Sequence, residues 1–143
     1  MKTNLLLSIT LMLLFVNTGN AQKYFPDYAS YQHTDFNRVA KVYLIALQSE
    51  NEGVVTSTLA HIGRIKLYFP KQQFPELEAK IIELSTTGQT SNIRYRAFLV
   101  YSLFNSPSIF MNESLTEFED SEALFAALAG RLGETTFGLN SSR

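Results

Sequence analysis

The sequence predicts an all-α domain. Apolar residues recur at steps of three and four, which places them on one face of a helix. Glycine, proline and small polar residues divide these stretches, and no segment alternates apolar and polar residues as a half-buried strand does. We expect about five helices in a single domain over residues 22–133, followed by a frayed tail over residues 134–143, which has no apolar period.

The first two predicted helices run over about Phe36–Ser49 and Val54–Phe69. Thr34 or Asp35 can cap the start of the first helix. Pro70 ends the second, because proline lacks the N–H that the next turn would need. The apolar stripes consist of Phe36, Val39, Tyr43 and Leu47 in the first helix, and of Val55, Leu59, Ile62 and Ile65 in the second.

The third and fourth predicted helices are bounded by clear signals. Pro75 suits the first position of the third helix and Gly88 its exit, and Leu77, Ile81 and Leu84 form its apolar stripe. The fourth runs from Ser91 or Asn92 to Phe104. Its sequence IRYRAFLVYSLF is apolar nearly all round, which is typical of a helix buried on most sides. We therefore place the fourth helix at the centre of the domain.

The fifth predicted helix contains the segment ALFAALAGRL and has two candidate starts. Ser114 with Glu117 fits a capping box, and Ser121, preceded by Asp120, is the rival. Gly133 is a natural terminator.

The N-terminus has the layout of a cleaved secretory signal over residues 1–21. Lys2 supplies a positive charge, Leu5–Val16 is apolar, and small residues precede a cleavage site after Ala21. The apolar run has 12 residues, whereas a membrane span needs roughly 20. The signal predicts a secreted or periplasmic protein that begins at Gln22 and has no stable membrane span after cleavage. The rival interpretation is a buried N-terminal helix.

The composition argues against several classes of function. Without Lys2 the chain has 11 basic and 13 acidic residues, a net charge of −2, so a nucleic-acid partner is not expected. There is no cysteine, and the glycines match no phosphate-binding motif. His33 and His61 lie 28 residues apart, without metal-ligand spacing. We expect no cofactor, no metal and no enzymatic activity, and we place His61 at the surface or at the edge of the core.

The second and fourth predicted helices share a pattern. Laying Val54 on Ile93, an offset of 39 residues, aligns two helices that each open with a β-branched residue. The further pairs are Thr58 with Ala97, Leu59 with Phe98, Ile62 with Tyr101, and Gly63 with Ser102. This pattern, over about residues 36–104, resembles the HEAT and armadillo class of helical repeats. The resemblance implies a short right-handed stack of antiparallel helical hairpins with a shared core. An ordinary helical bundle is the alternative.

Five residues are the candidate partner-binding residues. In a HEAT-like stack the first and second helices form one pair and the third and fourth another, and the second helix of each pair lines the concave side. This would place there Arg64, Lys66, Arg94, Tyr95 and Arg96. Arg94 and Arg96, with Tyr95 between them, are expected to form a small edge that attracts anions. That edge could receive an acidic partner or the chain's own acidic segment around Glu117–Glu122.

The start of the mature chain is rich in aromatic residues. Tyr24, Tyr28 and Tyr31 stand four and three residues apart, with Phe25 beside Tyr24. We expect this segment to cap the first helix. The rival interpretation is a strip on which a sugar or peptide stacks.

The function that these features favour is an exported, non-enzymatic scaffold that binds a protein or peptide. A small structural or envelope-associated protein without a discrete ligand is the first alternative. An enzyme, or an enzyme subunit, with a dispersed site is the second. An open groove with basic and aromatic residues would favour the scaffold, and a pocket with convergent polar groups would favour the enzyme.

Overall fold

The computed structural model describes residues 23–28, 35–113 and 117–138, and within these ranges the chain is helical and has no strand. The all-α prediction is confirmed. The predictions for the leader (residues 1–21), Tyr31, His33, Thr34 and Ser114 lie outside the described residues. The helices are α1 (Phe36–Ala46), α2 (Glu52–Tyr68), α3 (Pro75–Thr87), α4 (Ser91–Asn105), a 3-10 helix (Pro107–Glu113) and α5 (Ser121–Gly138).

Side-chain caps set where the first two helices begin. The Asp35 carboxylate accepts hydrogen bonds from the backbone N–H groups of Asn37 (3.0 Å) and Arg38 (3.3 Å). Asn51 caps α2 in the same way, at 2.9 Å from the N–H of Gly53. The sequence predicts that the second helix begins at Val54. Because the Asn51 side chain satisfies free N–H groups of α2, α2 instead begins at Glu52, two residues earlier than predicted.

The fifth helix starts at the second of its two candidate positions. The Asp120 carboxylate accepts a hydrogen bond from the backbone N–H of Ala123 at 2.9 Å, and α5 begins at Ser121. The predicted stop at Gly133 is wrong, because α5 continues to Gly138. Gly133 lies inside α5 and does not take the left-handed conformation in which glycine often ends a helix. The predicted frayed tail therefore begins as helix.

The core is built around α2 and α4, and α2 is the more deeply buried of the two. Helix α2 contacts α1, α4, α5 and the 3-10 helix, and Leu59 and Ala60 have no exposed surface. Helix α4 buries one side, yet Tyr95 is 53% and Phe98 49% exposed on the other. Helix α4 nevertheless contacts α2, α3, α5 and the 3-10 helix, as expected of a central helix, and its outer face with Tyr95 and Phe98 is the side left open.

The chain breaks after α4 as predicted, and a 3-10 helix that contributes to the core follows the break. Helix α4 ends at Asn105, and the 3-10 helix begins at Pro107. Phe110 projects from this short helix into the core and is fully buried, while the next residue, Met111, is 67% exposed. The short helix closes one end of the core against α2, α4 and α5.

Gly88 joins α3 to α4 where there is no room for a side chain. A Cβ atom at this position would lie 2.6 Å from the Leu84 carbonyl oxygen and 2.8 Å from the Ile93 side chain. We expect Gly88→Ala to lower the free energy of unfolding by about 1–3 kcal/mol, because the α3–α4 hairpin must open to accept the methyl group. Urea unfolding measures this change.

Gly130→Ala is the control, because a Cβ atom at Gly130 meets nothing within 4 Å. In the middle of α5 this change should raise stability by about 0.5–1 kcal/mol. A loss of similar size in both variants would contradict the steric explanation for Gly88.

None of the described helices combines the length and the hydropathy that a membrane-crossing helix requires.

Candidate functional site

Lys66 is a buried structural cation rather than a surface residue. It is 4% exposed, and its ammonium group donates hydrogen bonds to the carbonyl oxygens of Pro70 and Gln72, both at 2.9 Å. The ammonium nitrogen also lies 5.1 Å from the centre of the Phe104 ring. Burial lowers the pKa of Lys66, and the nearby Glu78 carboxylate raises it. These contacts hold the turn after α2, so Lys66 does not line an open groove as the sequence predicted.

Arg64 is also buried, at 7% exposure, but it lies beneath a surface cleft. Its guanidinium carbon is 5.9 Å from the centre of the Tyr28 ring and 5.3 Å from that of Phe118. Burial lowers the pKa of Arg64, and the charge of Glu117 raises it. The guanidinium group thus joins α2 to two segments outside the helices, one before α1 and one before α5.

Arg94 and Arg96 point to different parts of the domain. Arg94 Nη1 donates a hydrogen bond to the Gly88 carbonyl oxygen at 2.7 Å, across the turn between α3 and α4. Arg96 lies over the Phe125 ring, 4.7 Å from its centre, and forms an ion pair with Glu122. The two arginines therefore do not share one edge, and Tyr95 lies exposed between them.

The contact with Glu122 is the internal alternative that the sequence left open for Arg96. Because α5 starts at Ser121, Glu122 lies in its first turn, where a carboxylate is also favoured by the helix dipole. The side chain of Arg96 is 12% exposed and that of Glu122 is 71% exposed. Arg96 thus anchors α5 to α4, and its charge is engaged inside the molecule.

We expect the double variant Arg94→Ala/Arg96→Ala to lose about 1–3 kcal/mol of stability at low salt, because both side chains donate charge-assisted hydrogen bonds within the domain. High salt should shrink the difference by screening the Arg96–Glu122 pair. Thermal unfolding at two salt concentrations measures both effects. Arg38→Ala, an exposed residue of α1, is the control and should change stability by less than about 0.5 kcal/mol. Unchanged stability in the double variant would mean that neither arginine contact contributes measurably to the stability of the domain.

The aromatic segment before α1 packs on α2, not on α1 as predicted. The Tyr24 hydroxyl donates a hydrogen bond to the Ser57 hydroxyl at 2.9 Å. The Tyr24 ring stacks on His61, with ring centres 5.3 Å apart and planes at 9°. Phe25 meets His61 edge-on at 5.2 Å. His61 is half-buried at the edge of the core, where burial lowers its pKa.

A cleft of about 620 Å³ lies between this segment, residues 117–119 before α5, and Arg64 and Tyr68 of α2. Five rings line it: Tyr24, Phe25, Tyr28, Tyr68 and Phe118. Arg64 lies among these rings, and Tyr68 is 37% exposed at their edge. The cleft has the volume of a typical small-ligand site, and its lining has as many charged residues as aromatic ones.

The rim of the cleft is charged and exposed. Lys23 faces Glu117 at 3.7 Å, and their side chains are 76% and 85% exposed. Asp27 and Glu119 add two more carboxylates to the lining. An ion pair this exposed contributes little to stability, so the rim can rearrange around an incoming group.

The sequence interpretation found part of this site. It singled out Arg64, the aromatic segment from Tyr24 and the acidic segment around Glu117, but it did not connect them. It missed Tyr68 and Phe118. A signal for Phe118 was present, because a purely solvated acidic segment has no need of a phenylalanine among its carboxylates.

Within the described ranges, no three histidine, aspartate or glutamate side chains lie close enough together to hold a metal ion. No protein-family model, curated protein or solved structure matches this chain.

Proposed function

We propose that this chain is an exported, non-enzymatic scaffold that binds a protein or peptide in the cleft over α2. The observation that carries the proposal is the cleft itself. It is open at the surface, five aromatic rings line it, and charged groups stand at its rim. Rings with a polar or charged border are the usual composition of a protein recognition site.

The arrangement of the helices supports a HEAT-like stack as the framework of this scaffold. Helix α1 packs beside α3 and α2 beside α4, so that first helices adjoin and second helices adjoin. Burial matches best at an offset of 38 residues rather than 39. That offset pairs buried Val55, Leu59, Ile62 and Ile65 with buried Ile93, Ala97, Val100 and Leu103, whereas the offset of 39 pairs exposed Val54 with buried Ile93.

A structural role without a discrete ligand is the second candidate. It is favoured by the internal contacts of the predicted binding residues, since Lys66, Arg94 and Arg96 are all engaged within the domain. On this hypothesis the cleft is a by-product of the packing of two segments on α2, and it would hold solvent alone.

Site-specific photo-crosslinking in the native host separates the two candidates. A photoreactive amino acid in place of Tyr68, within the cleft, is expected to capture a defined partner. The same residue in place of Ile82, which is 41% exposed on α3, is the matched control and should capture none. Phe118→Ala should reduce the capture at Tyr68. Equal labelling from both positions, or no labelling from either, would favour the structural role.

Export is tested independently of binding. N-terminal sequencing of the exported protein should begin at Gln22, because cleavage is expected after Ala21. An intact Met1 on protein retained in the cytoplasm would contradict the export proposal.

A further inference from the structure

Carboxylates outnumber basic side chains among the exposed residues of the described chain, because several basic side chains are buried or half-buried. Among the described residues ten carboxylates but four basic side chains are exposed. The exposed carboxylates belong to Asp27, Asp35, Glu50, Glu76, Glu83, Glu117, Glu119, Asp120, Glu122 and Glu134, and the exposed bases are Lys23, Arg38, Lys41 and Lys71. A negative surface attracts a cationic partner and repels an acidic one.

The cleft repeats this imbalance at its rim. Its lining has three carboxylates, of Asp27, Glu117 and Glu119, and two cations, exposed Lys23 and buried Arg64. Glu119 is exposed and forms no ion pair with any other described residue. The rim therefore presents carboxylate oxygens to an incoming ligand.

The rings of the cleft are already placed around a cation. Tyr28 and Phe118 lie 5.9 Å and 5.3 Å from the guanidinium carbon of Arg64, distances at which an aromatic face attracts positive charge. Tyr24 and Tyr68 extend the aromatic wall from this point toward the surface. A second cation that enters between the rim and the aromatic wall would contact carboxylates on one side and aromatic rings on the other.

We propose that the cleft binds an arginine or lysine side chain presented by a partner peptide, which rests on the peptide-binding function proposed above. The aromatic wall contacts the stem and the charged head of that side chain, and Glu117 and Glu119 supply the opposite charge. Lys23 is displaced from Glu117 on binding. This displacement costs little, because the Lys23–Glu117 pair is exposed and its atoms are 3.7 Å apart.

Two short peptides of opposite charge test the inference on the purified protein. One is an acetylated, amidated arginine–tyrosine–arginine peptide, and the other replaces both arginines with glutamate. In NMR titrations at low salt, the arginine peptide should shift the backbone amide signals of residues 23–28 and 117–119. It should bind about tenfold more tightly than the glutamate peptide, and added salt should weaken it.

Matched charge variants distinguish the cleft from the acidic surface as a whole. Glu117→Gln/Glu119→Gln should weaken binding of the arginine peptide about threefold to tenfold, because both changes remove charge at the rim. Glu76→Gln/Glu83→Gln removes the same charge from exposed positions of α3 and should leave the affinity within about twofold, since screening limits its reach. Equal weakening in both variants would mean that the peptide senses net charge, and would overturn the inference.

The remaining outcomes separate this inference from the function it rests on. Equal binding of both peptides in the cleft would overturn the preference for a cation and leave peptide binding intact. Absence of shifts with either peptide would overturn the inference, while the crosslinking from Tyr68 would judge the proposed function independently.

Discussion

Replacing Phe110 with alanine is expected to cost about 3–5 kcal/mol of the free energy of unfolding, the largest loss we expect from a single change. Phe110 is fully buried and projects from the 3-10 helix, which contacts α2, α4 and α5. Alanine would leave a cavity between these helices that the short connection cannot close. Urea unfolding monitored by circular dichroism measures the loss.

Met111→Ala is the matched control for Phe110. It removes a large apolar side chain from the adjacent residue of the same 3-10 helix, but Met111 is 67% exposed. Its replacement should change stability by less than about 1 kcal/mol. If both variants were equally stable, the 3-10 helix would not be part of the cooperative core.

Leu99→Ala is the second change with a large expected effect, a loss of about 2–4 kcal/mol. Leu99 is 1% exposed, and Val100 beside it has no exposed surface. Val100→Ala should also destabilise the domain, because the Val100 side chain packs against Gly63 of α2. A Cβ atom placed on Gly63 would lie 3.5 Å from that side chain, so the shorter alanine would leave a cavity between α4 and α2. Chemical denaturation of both variants measures the losses.

Phe98→Ala is the control within the same helix. Phe98 precedes Leu99 but is 49% exposed, so its loss should cost less than about 1 kcal/mol. The two buried positions and the exposed one together test which face of α4 lies in the core. Losses below about 0.5 kcal/mol at Leu99 and Val100 would show that α4 is peripheral.

The apolar periods predicted the helices well, and the capping residues explain the remaining differences. The stripe of Val55, Leu59, Ile62 and Ile65 is buried as expected. The predicted helix end at Gly133 is wrong, because the backbone does not turn there and α5 continues through this residue. The hydrogen bond from the Thr135 hydroxyl to the Arg131 carbonyl oxygen, 2.9 Å, spans that position within α5.

The candidate site was harder to predict, because helical periodicity gives the direction of a side chain and not what lies against it. Arg64 and Lys66 are charged, and the sequence alone favours water as their surroundings. Phe104 covers Lys66, and Tyr28 and Phe118 cover Arg64. These contacts join residues from distant parts of the chain, and no local pattern specifies them.

The sequence by itself determined the all-α class and most of the limits of the described α-helices, because apolar spacing, caps and breakers act within a few residues. The tertiary structure decided how deeply each helix is buried, since the enclosure of α2 depends on α1, α4, α5 and the 3-10 helix packing around it. It also decided which charged groups meet solvent. Burial removed Arg64 and Lys66 from solvent, while Glu117 and Glu119 at the rim of the cleft stayed exposed.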